Sequence, residues 1–207
     1  MRRSNVRIAI QKSGRLREKS EKLLRTWGVD CEIKDKNVLV LPCNGGKYEV
    51  LFVRYGDIPQ YVQSGAVDYG IVGQNILYEN KFNVRVIKEL GFGKCKLIVA
   101  APKHSSIKIP RNLEGERIAT SYPNSLRKYL KQEGCGATIV KIRGGVEAAP
   151  AIGLADAICD ITQTGTTLKA NGLKIISTIL ESEAVLIESK FITPKMERFK
   201  RECLELA

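Results

Sequence analysis

Histidine is almost missing from this chain of 207 residues: His104, between Lys103 and Ser105, is the only one, and it reads as a surface residue with no chemical role. No apolar run reaches the 18 residues of a membrane span. The basic start MRRSNVRIAI is too short in its apolar part, and is interrupted by Arg7, so it fails as a signal peptide. A soluble, cytoplasmic protein is expected. The six cysteines, Cys31, Cys43, Cys95, Cys135, Cys159 and Cys203, never approach a CxxC spacing, which excludes a zinc knuckle or a redox pair of that kind. A chain this long needs no staples, so reduced thiols are expected throughout, with a disulfide framework open in principle. No GxxxxGK[ST] occurs and no GxGxxG opens a βαβ unit, which removes the usual NTPase and dinucleotide-binding readings. Internal repeats and low-complexity linkers are absent as well.

What is present is an ordinary globular composition with an excess of positive charge. At 43% hydrophobic residues the chain can form one large domain or two smaller lobes. The formal net charge of +12 and a pI near 9.5 predict a field that attracts anions: nucleic acid, nucleotides, an acidic membrane or an acidic partner. The lysines and arginines are spread along the chain rather than run together, and no aromatic-rich RNA platform appears. Nucleic acid and membrane are therefore not the expected partners.

Aliphatic and β-branched runs predict strands over 6–10, 38–41, 50–53, 69–72 and 84–90. Between them, 15–27 carries Leu16, Leu23, Leu24 and Trp27 at helical spacing. Asp57 stands as the cap of a second helix with Pro59 in its first turn. Alternation of this kind predicts an α/β fold with mostly parallel sheets. It starts again after the glycines of GFGKCKL, positions 91–97, with strands over 96–101, 117–120, 138–142 and 157–161 and a helix over 124–133. Strands at 174–179 and 185–187 follow. A last helix from Pro194, with Met196, Phe199, Cys203 and Leu206 on one stripe, is placed to return to the first unit.

The richest stretch is LADAICDITQTGTTLKANGL, positions 154–173, where a buried strand ends at Asp160 and enters a loop of small hydroxyl residues around Gly165. Thr164, Thr166 and Thr167 offer hydroxyl donors, Gly165 lets the backbone approach closely, and successive N–H groups can form an anion-binding nest. Asp160 could accept hydrogen bonds from ribose hydroxyls. Read alone, the same loop serves equally as a strand-to-helix turn capped by threonines. Lys12 and Arg15 likewise read alone as solvated charges at a helix start, and Arg54 as a surface ion pair with Asp57, worth little in water. Asp68 and Asp156 look more like turn or cap residues than catalysts.

Five blocks, taken together, resemble the ATP phosphoribosyltransferase family in its own order. They are RIAIQKSGRL (7–16), LFVRYGDIPQYVQSGAVDYGIVGQNIL (51–77), LGFGKCKL (90–97), RIATSYPNSLRKYL (117–130) and IRGGVEAAPAIGLADAICDITQTGTTLKANGL (142–173). The last is similar to that family's phosphoribosyl-pyrophosphate signature. The resemblance implies a two-lobed fold like type II periplasmic binding proteins with an interlobe cleft, lobe I from 1–92 and 180–207, lobe II from 93–179. It implies Mg²⁺ and transfer of the phosphoribosyl group from phosphoribosyl pyrophosphate to N1 of the adenine of ATP, the first step of histidine biosynthesis. The rival reading is a non-catalytic anion-binding or nucleotide-binding module of the same fold.

Carried over by position, the resemblance gives phosphoribosyl pyrophosphate to Asp160, Thr162, Thr164, Gly165, Thr166 and Thr167, with Glu147 and Ala149 along the nearby wall. Lys12, Arg15 and Arg54 fall where the charges of nucleotide and pyrophosphate gather, and are the implied catalytic residues. Gly14, Asp57, Asp68, Gly73 and Tyr122 are the implied nucleotide-binding residues. The Mg²⁺ is expected to be held mainly by substrate phosphates. Where the family usually reads RDDDIP this chain has Arg54-Tyr55-Gly56-Asp57-Ile58-Pro59, and GSVE becomes Gly144-Gly145-Val146-Glu147. The first departure puts any metal or ribose role at 55 and 56 in doubt; the second deletes a hydroxyl beside the phosphate loop. Some family members carry a C-terminal regulatory domain, which is not expected here. Others work with a separate subunit resembling histidyl-tRNA synthetase. A homodimer or larger oligomer is the implied assembly.

Overall fold

The computed structural model describes residues 5–32 and 37–204, with side chains through 202. These residues form two α/β units. One runs to Leu77 and adds Lys81–Gly93 and the segment from Glu183; the other comprises Tyr78–Asn80 and Lys94–Ser182.

The first unit is built on strands β1 (Val6–Gln11), β2 (Val40–Cys43), β3 (Tyr48–Val53), β4 (Tyr69–Gly73), β5 (Arg85–Glu89) and, from late in the chain, β11 (Ala184–Glu188). They lie in the order β2-β3-β1-β4-β11-β5. β3, β1 and β4 run parallel, with Ile8 opposite both Val50 and Tyr69. Every residue of β4 is buried, because α1 (Arg17–Thr26) and the C-terminal α6 (Pro194–Phe199) cover one face of the sheet and α2 (Ile58–Gln63) the other. Alternation along β4 sends Tyr69 and Ile71 into the cluster with Leu24, Trp27, Met196 and Phe199. Phe199 packs among Trp27, Tyr48 and Tyr69, and the Tyr69 hydroxyl donates to Met196 O at 2.8 Å. Burial of one such ring contributes roughly 1.5–3 kcal/mol, which ties the tail to this unit. The Cys203 side chain and Leu206, expected on the same stripe, lie outside the described side chains.

Gly70 permits the packing on the other face. A Cβ there would stand 2.6 Å from Ile58 Cγ2 and 2.9 Å from Val62 Cγ2, atoms on stiff β-branched side chains. Gly70→Ala is expected to lower stability by about 1–3 kcal/mol, with roughly 2–4 °C of Tm lost per kcal/mol in calorimetry. An unchanged Tm would mean that α2 can lift from the sheet without cost.

Cys31 and Cys43 form a disulfide, their Cα atoms 4.5 Å apart, so the expectation of reduced thiols fails for this pair. The turn after α1 runs back beside β2: Asn44 N donates to Asp30 O at 3.2 Å, and Asp30 N to Asn44 Oδ1 at 2.9 Å. Cys95 and Cys159 are buried and Cys135 half-buried, and none of the three is in a disulfide. Burial pushes the Cys159 thiol up to about 12.

The second unit orders its strands β10-β6-β9-β7-β8, with β6 Cys95–Pro102, β7 Arg117–Thr120, β8 Thr138–Lys141, β9 Ala157–Thr162 and β10 Leu173–Ser182. Its core gathers Ile98, Ala100, Ala119, Ile158, Val146 and Leu168. The helix α4 (Pro123–Glu133) starts on a proline and stops at Gly134, whose φ of 67° terminates it in the left-handed region. Its N-terminal N–H groups are already taken, since Glu79, at the end of α3 (Gln74–Glu79), accepts from Asn124 N at 2.8 Å and Ser125 N at 2.9 Å. The short helix α5 (Thr166–Ala170) follows β9.

Both sheets are mixed rather than mostly parallel. Helical crossovers make the centres parallel, β3-β1-β4 and β9-β7-β8. The flanks are antiparallel, because β2 turns directly into β3, and β6, β10 and β11 bring the chain in and out. Asp57 stands at the N-cap of α2 as expected, yet its side chain makes no capping hydrogen bond.

Candidate functional site

In an open α/β sheet, ligands gather at the carboxyl ends of the parallel strands, where successive crossovers leave to opposite sides. Each unit has one such point. In the first, the chain from β1 leads to β3 on one side and later to β4 on the other. In the second, β8 and β9 flank β7.

At the first point, Lys12 N extends the ladder to Val53 O at 2.8 Å and leaves the Lys12 side chain exposed. Gly14 turns with φ 108°, where a Cβ would lie 2.4 Å from Gln11 Nε2; the Gln11 amide oxygen in turn accepts Leu16 N at 3.2 Å and starts α1. Arg15 donates to Gly93 O and reaches the Tyr55 hydroxyl at 3.4 Å. Arg54 is exposed at the end of β3. The suggested ion pair between Arg54 and Asp57 is not formed among the described residues; the two share only a backbone bond, Asp57 N to Arg54 O, at 3.0 Å. Gly73 ends β4 at the same edge, its N–H on Tyr55 Oη at 3.1 Å.

Asp68 does not join them. It precedes β4, at the opposite end of the strands, only 6% exposed, and its Oδ2 accepts from Arg7 N and Lys195 Nζ, each at 2.8 Å. Both bonds fall on Oδ2 and fasten α6 to the sheet, so the structure puts Asp68 away from the edge where the nucleotide residues were expected.

At the second point the described strand β9 ends in Asp160, Ile161 and Thr162, and the loop turns at Gly165 with φ 75°. Thr162 Oγ1 accepts Gly165 N at 3.0 Å, and the hydroxyls of Thr164 and Thr166 lie 2.9 Å apart. The loop is thus held open by its own hydroxyls, while the first N–H groups of α5, from Thr166 and Thr167, have no partner within the helix. Burial raises Asp160 to about 6; the N–H of Ile161, 2.8 Å from Oδ1, works against this and the charge of Glu147 adds to it. Glu147 sits on the short turn Val146–Ala148 after Gly145, whose φ of 60° suits glycine. The residue that replaces a serine there therefore matches the backbone it occupies.

Ala149 was expected along the wall but is 1% exposed in the core, supporting the turn from beneath. Tyr122 is buried at the start of α4, its N–H on Thr120 Oγ1 at 2.8 Å. That places Tyr122 in the same unit as the hydroxyl loop, whereas Gly14, Asp57 and Gly73 belong to the other. Asp156 pairs with Arg117, which lowers it to about 2. His104 is exposed in the turn after β6, at the end of the sheet remote from the loop.

The family profile described as HisG, ATP phosphoribosyltransferase, matches residues 54–206. The chain belongs to the ATP phosphoribosyltransferase family. Proteins named ATP phosphoribosyltransferase from Cytophaga hutchinsonii and Parabacteroides distasonis are each 46% identical to it, over 181 and 182 residues. These matches take in 87% and 88% of this chain but only 63% and 64% of those relatives. Among solved structures, the ATP phosphoribosyl transferase (HisG:HisZ) complex from Thermotoga maritima is 32% identical, with a TM-score of 0.77 over 95% of this chain and 92% of that one. The alkanesulfonate-binding protein SsuA from Xanthomonas axonopodis shares the fold alone, at 16% identity and a TM-score of 0.62 over 98% of this chain and 71% of that one. This chain thus has a periplasmic-binding-protein-like fold. No helix among the described residues is long and apolar enough to cross a membrane.

Proposed function

We propose that this chain joins ATP to phosphoribosyl pyrophosphate, the opening reaction of histidine biosynthesis. Adenine N1 attacks the anomeric carbon of the sugar, the bond to pyrophosphate breaks with its electron pair leaving on oxygen, and the adenine is left N1-substituted and positively charged, any later N6 proton going to water. N1 attacks with a lone pair it already has, so no protein nucleophile is required and no base must act first. The protein has to position two polyanions and stabilise charge on the departing pyrophosphate.

The observation that carries the reading is the Thr162–Thr167 loop, opened by its own hydroxyl bonds at the end of β9 with a half-buried carboxylate at its entrance. In this reading Thr164, Thr166, Thr167 and Gly165 hold the sugar phosphate, Asp160 accepts from the ribose hydroxyls, and Glu147 keeps the entrance acidic. Lys12, Gly14, Arg15, Asp57 and Gly73 take the nucleotide, and Arg54 meets the pyrophosphate. In this reading the Mg²⁺ is carried mainly by substrate phosphate oxygens. When bound, that ion supplies neutralising charge to the phosphates. A net charge of +12 suits two polyanionic substrates.

The test is to supply ATP, phosphoribosyl pyrophosphate and Mg²⁺ and follow pyrophosphate. Release that needs both substrates supports the reading. Binding of either one without release returns the chain to the rival reading, a binding module. The HisZ partner in the Thermotoga maritima complex makes a HisZ-like subunit the assembly to look for, beside a homodimer, by light scattering with and without that subunit. Such an enzyme belongs in the cytoplasm.

A further inference from the structure

The phenol of Tyr55 touches three of the loops at the carboxyl edge of the first sheet. It follows Arg54 directly, and sequence alone assigns it nothing. A phenol has one proton to give and can accept two, and here all three are used. Tyr55 Oη donates to Asn75 Oδ1 at 2.8 Å, accepts the Gly73 N–H at 3.1 Å, and meets Arg15 Nη2 at 3.4 Å. The Arg15 guanidinium also lies over the Tyr55 ring, 5.9 Å from its centre. Asn75 is 1% exposed, so the donated bond is made in a place without water.

The fit with Gly73 is reciprocal. A Cβ on Gly73 would stand 2.1 Å from the phenol oxygen and 2.4 Å from Asn75 Oδ1. The hydroxyl therefore occupies the space that a side chain at position 73 would need, and the bare backbone of Gly73 is what lets it in. Its ring packs on the core of the first unit, which gives the hydroxyl a fixed base. The loop after β1, the loop after β3 and the turn from β4 into α3 are thus pinned at one oxygen.

From this geometry we infer that Tyr55 is a positioning residue for the nucleotide, acting through Arg15 and the Gly73–Asn75 turn, where this chain departs from the acidic pattern of its family. The inference rests on reading this edge as the nucleotide site. The Tyr55 hydroxyl and the bare backbone of Gly73 do the fastening, so position 55 has no need of a charge.

The experiment is Tyr55→Phe, which keeps the ring under Arg15 and removes all three hydroxyl contacts. Binding of MgATP is measured by calorimetry and turnover by pyrophosphate release. The dissociation constant and the KM for ATP are expected to rise about tenfold, the loss of roughly one charged hydrogen bond, while the KM for phosphoribosyl pyrophosphate stays within about twofold. Gly73→Ala, whose Cβ expels the hydroxyl, is expected to show the same selective loss. A merely structural role would lower Tm and the active fraction and leave both KM values alone; that result, an equal rise in both, or unchanged ATP binding overturns the inference. If the unaltered chain binds MgATP but releases no pyrophosphate, while Tyr55→Phe still binds more weakly, the positioning role stands and the reaction is wrong. A chain that binds no MgATP overturns both.

Discussion

Arg54→Ala is expected to release pyrophosphate about 10²–10³-fold more slowly than the unaltered chain, with much smaller changes in either KM. Arg54 is exposed at the carboxyl end of β3 and forms no ion pair with Asp57 among the described residues. Its guanidinium presents a planar fork that matches phosphate oxygens. Negative charge grows on the pyrophosphate only as its bond to the sugar breaks, so a cation placed there favours the transition state over bound substrate. Arg54→Lys should recover part of the rate, since it restores the charge without the fork. A raised KM with unchanged kcat would move Arg54 from the departing group to ground-state binding.

Asp160→Asn is expected to separate stability from function. Burial puts the folded carboxyl at about 6, above its usual 3.8. The sign follows from which state holds the proton more tightly. The folded state does, so the benefit of the buried neutral acid is complete below pH 3.8 and is lost as pH climbs through about 6. At pH 7 the ionised side chain is a burden of roughly 1–3 kcal/mol, and the neutral amide should raise Tm.

Binding moves the other way. If ribose hydroxyls donate to the ionised form, the affinity for phosphoribosyl pyrophosphate falls as pH drops through about 6. At pH 5 the ionised fraction is about a tenth, and binding should weaken by about tenfold. In the Asn variant that acid limb should vanish, with kcat/KM lower by about 10² at neutral pH. A variant of unchanged Tm that keeps the limb would show that Asp160 neither carries the burial cost nor meets the sugar.

The position of much of the candidate site at strand ends was legible because its signals are local. Gly165 between threonines, directly after a strand ending in an acid, marks a loop at a strand's carboxyl end whatever surrounds it. Lys12, Gly14 and Arg15 follow a strand in the same way, and so does Arg54. Asp68 stands at the wrong end of its strand, which a motif block spanning both ends of β4 does not reveal. Ala149 looked like a wall and is core, since small apolar residues serve both. The hydroxyl of Tyr55 was unreadable because its partners come from three separate loops.

By itself the sequence determined the βα alternation, the strand positions and those of the longer helices within a few residues, and the order in which the glycine-bearing loops leave the strands. These depend on periodicity, turn residues and caps, which act over a few positions. Only the tertiary structure decided that the sheets are mixed, that Cys31 meets Cys43, that Glu79 covers the start of α4, and that Asp68 fastens α6. Strand order and register bring distant residues within hydrogen-bond reach, and no local pattern encodes which distant residues those will be.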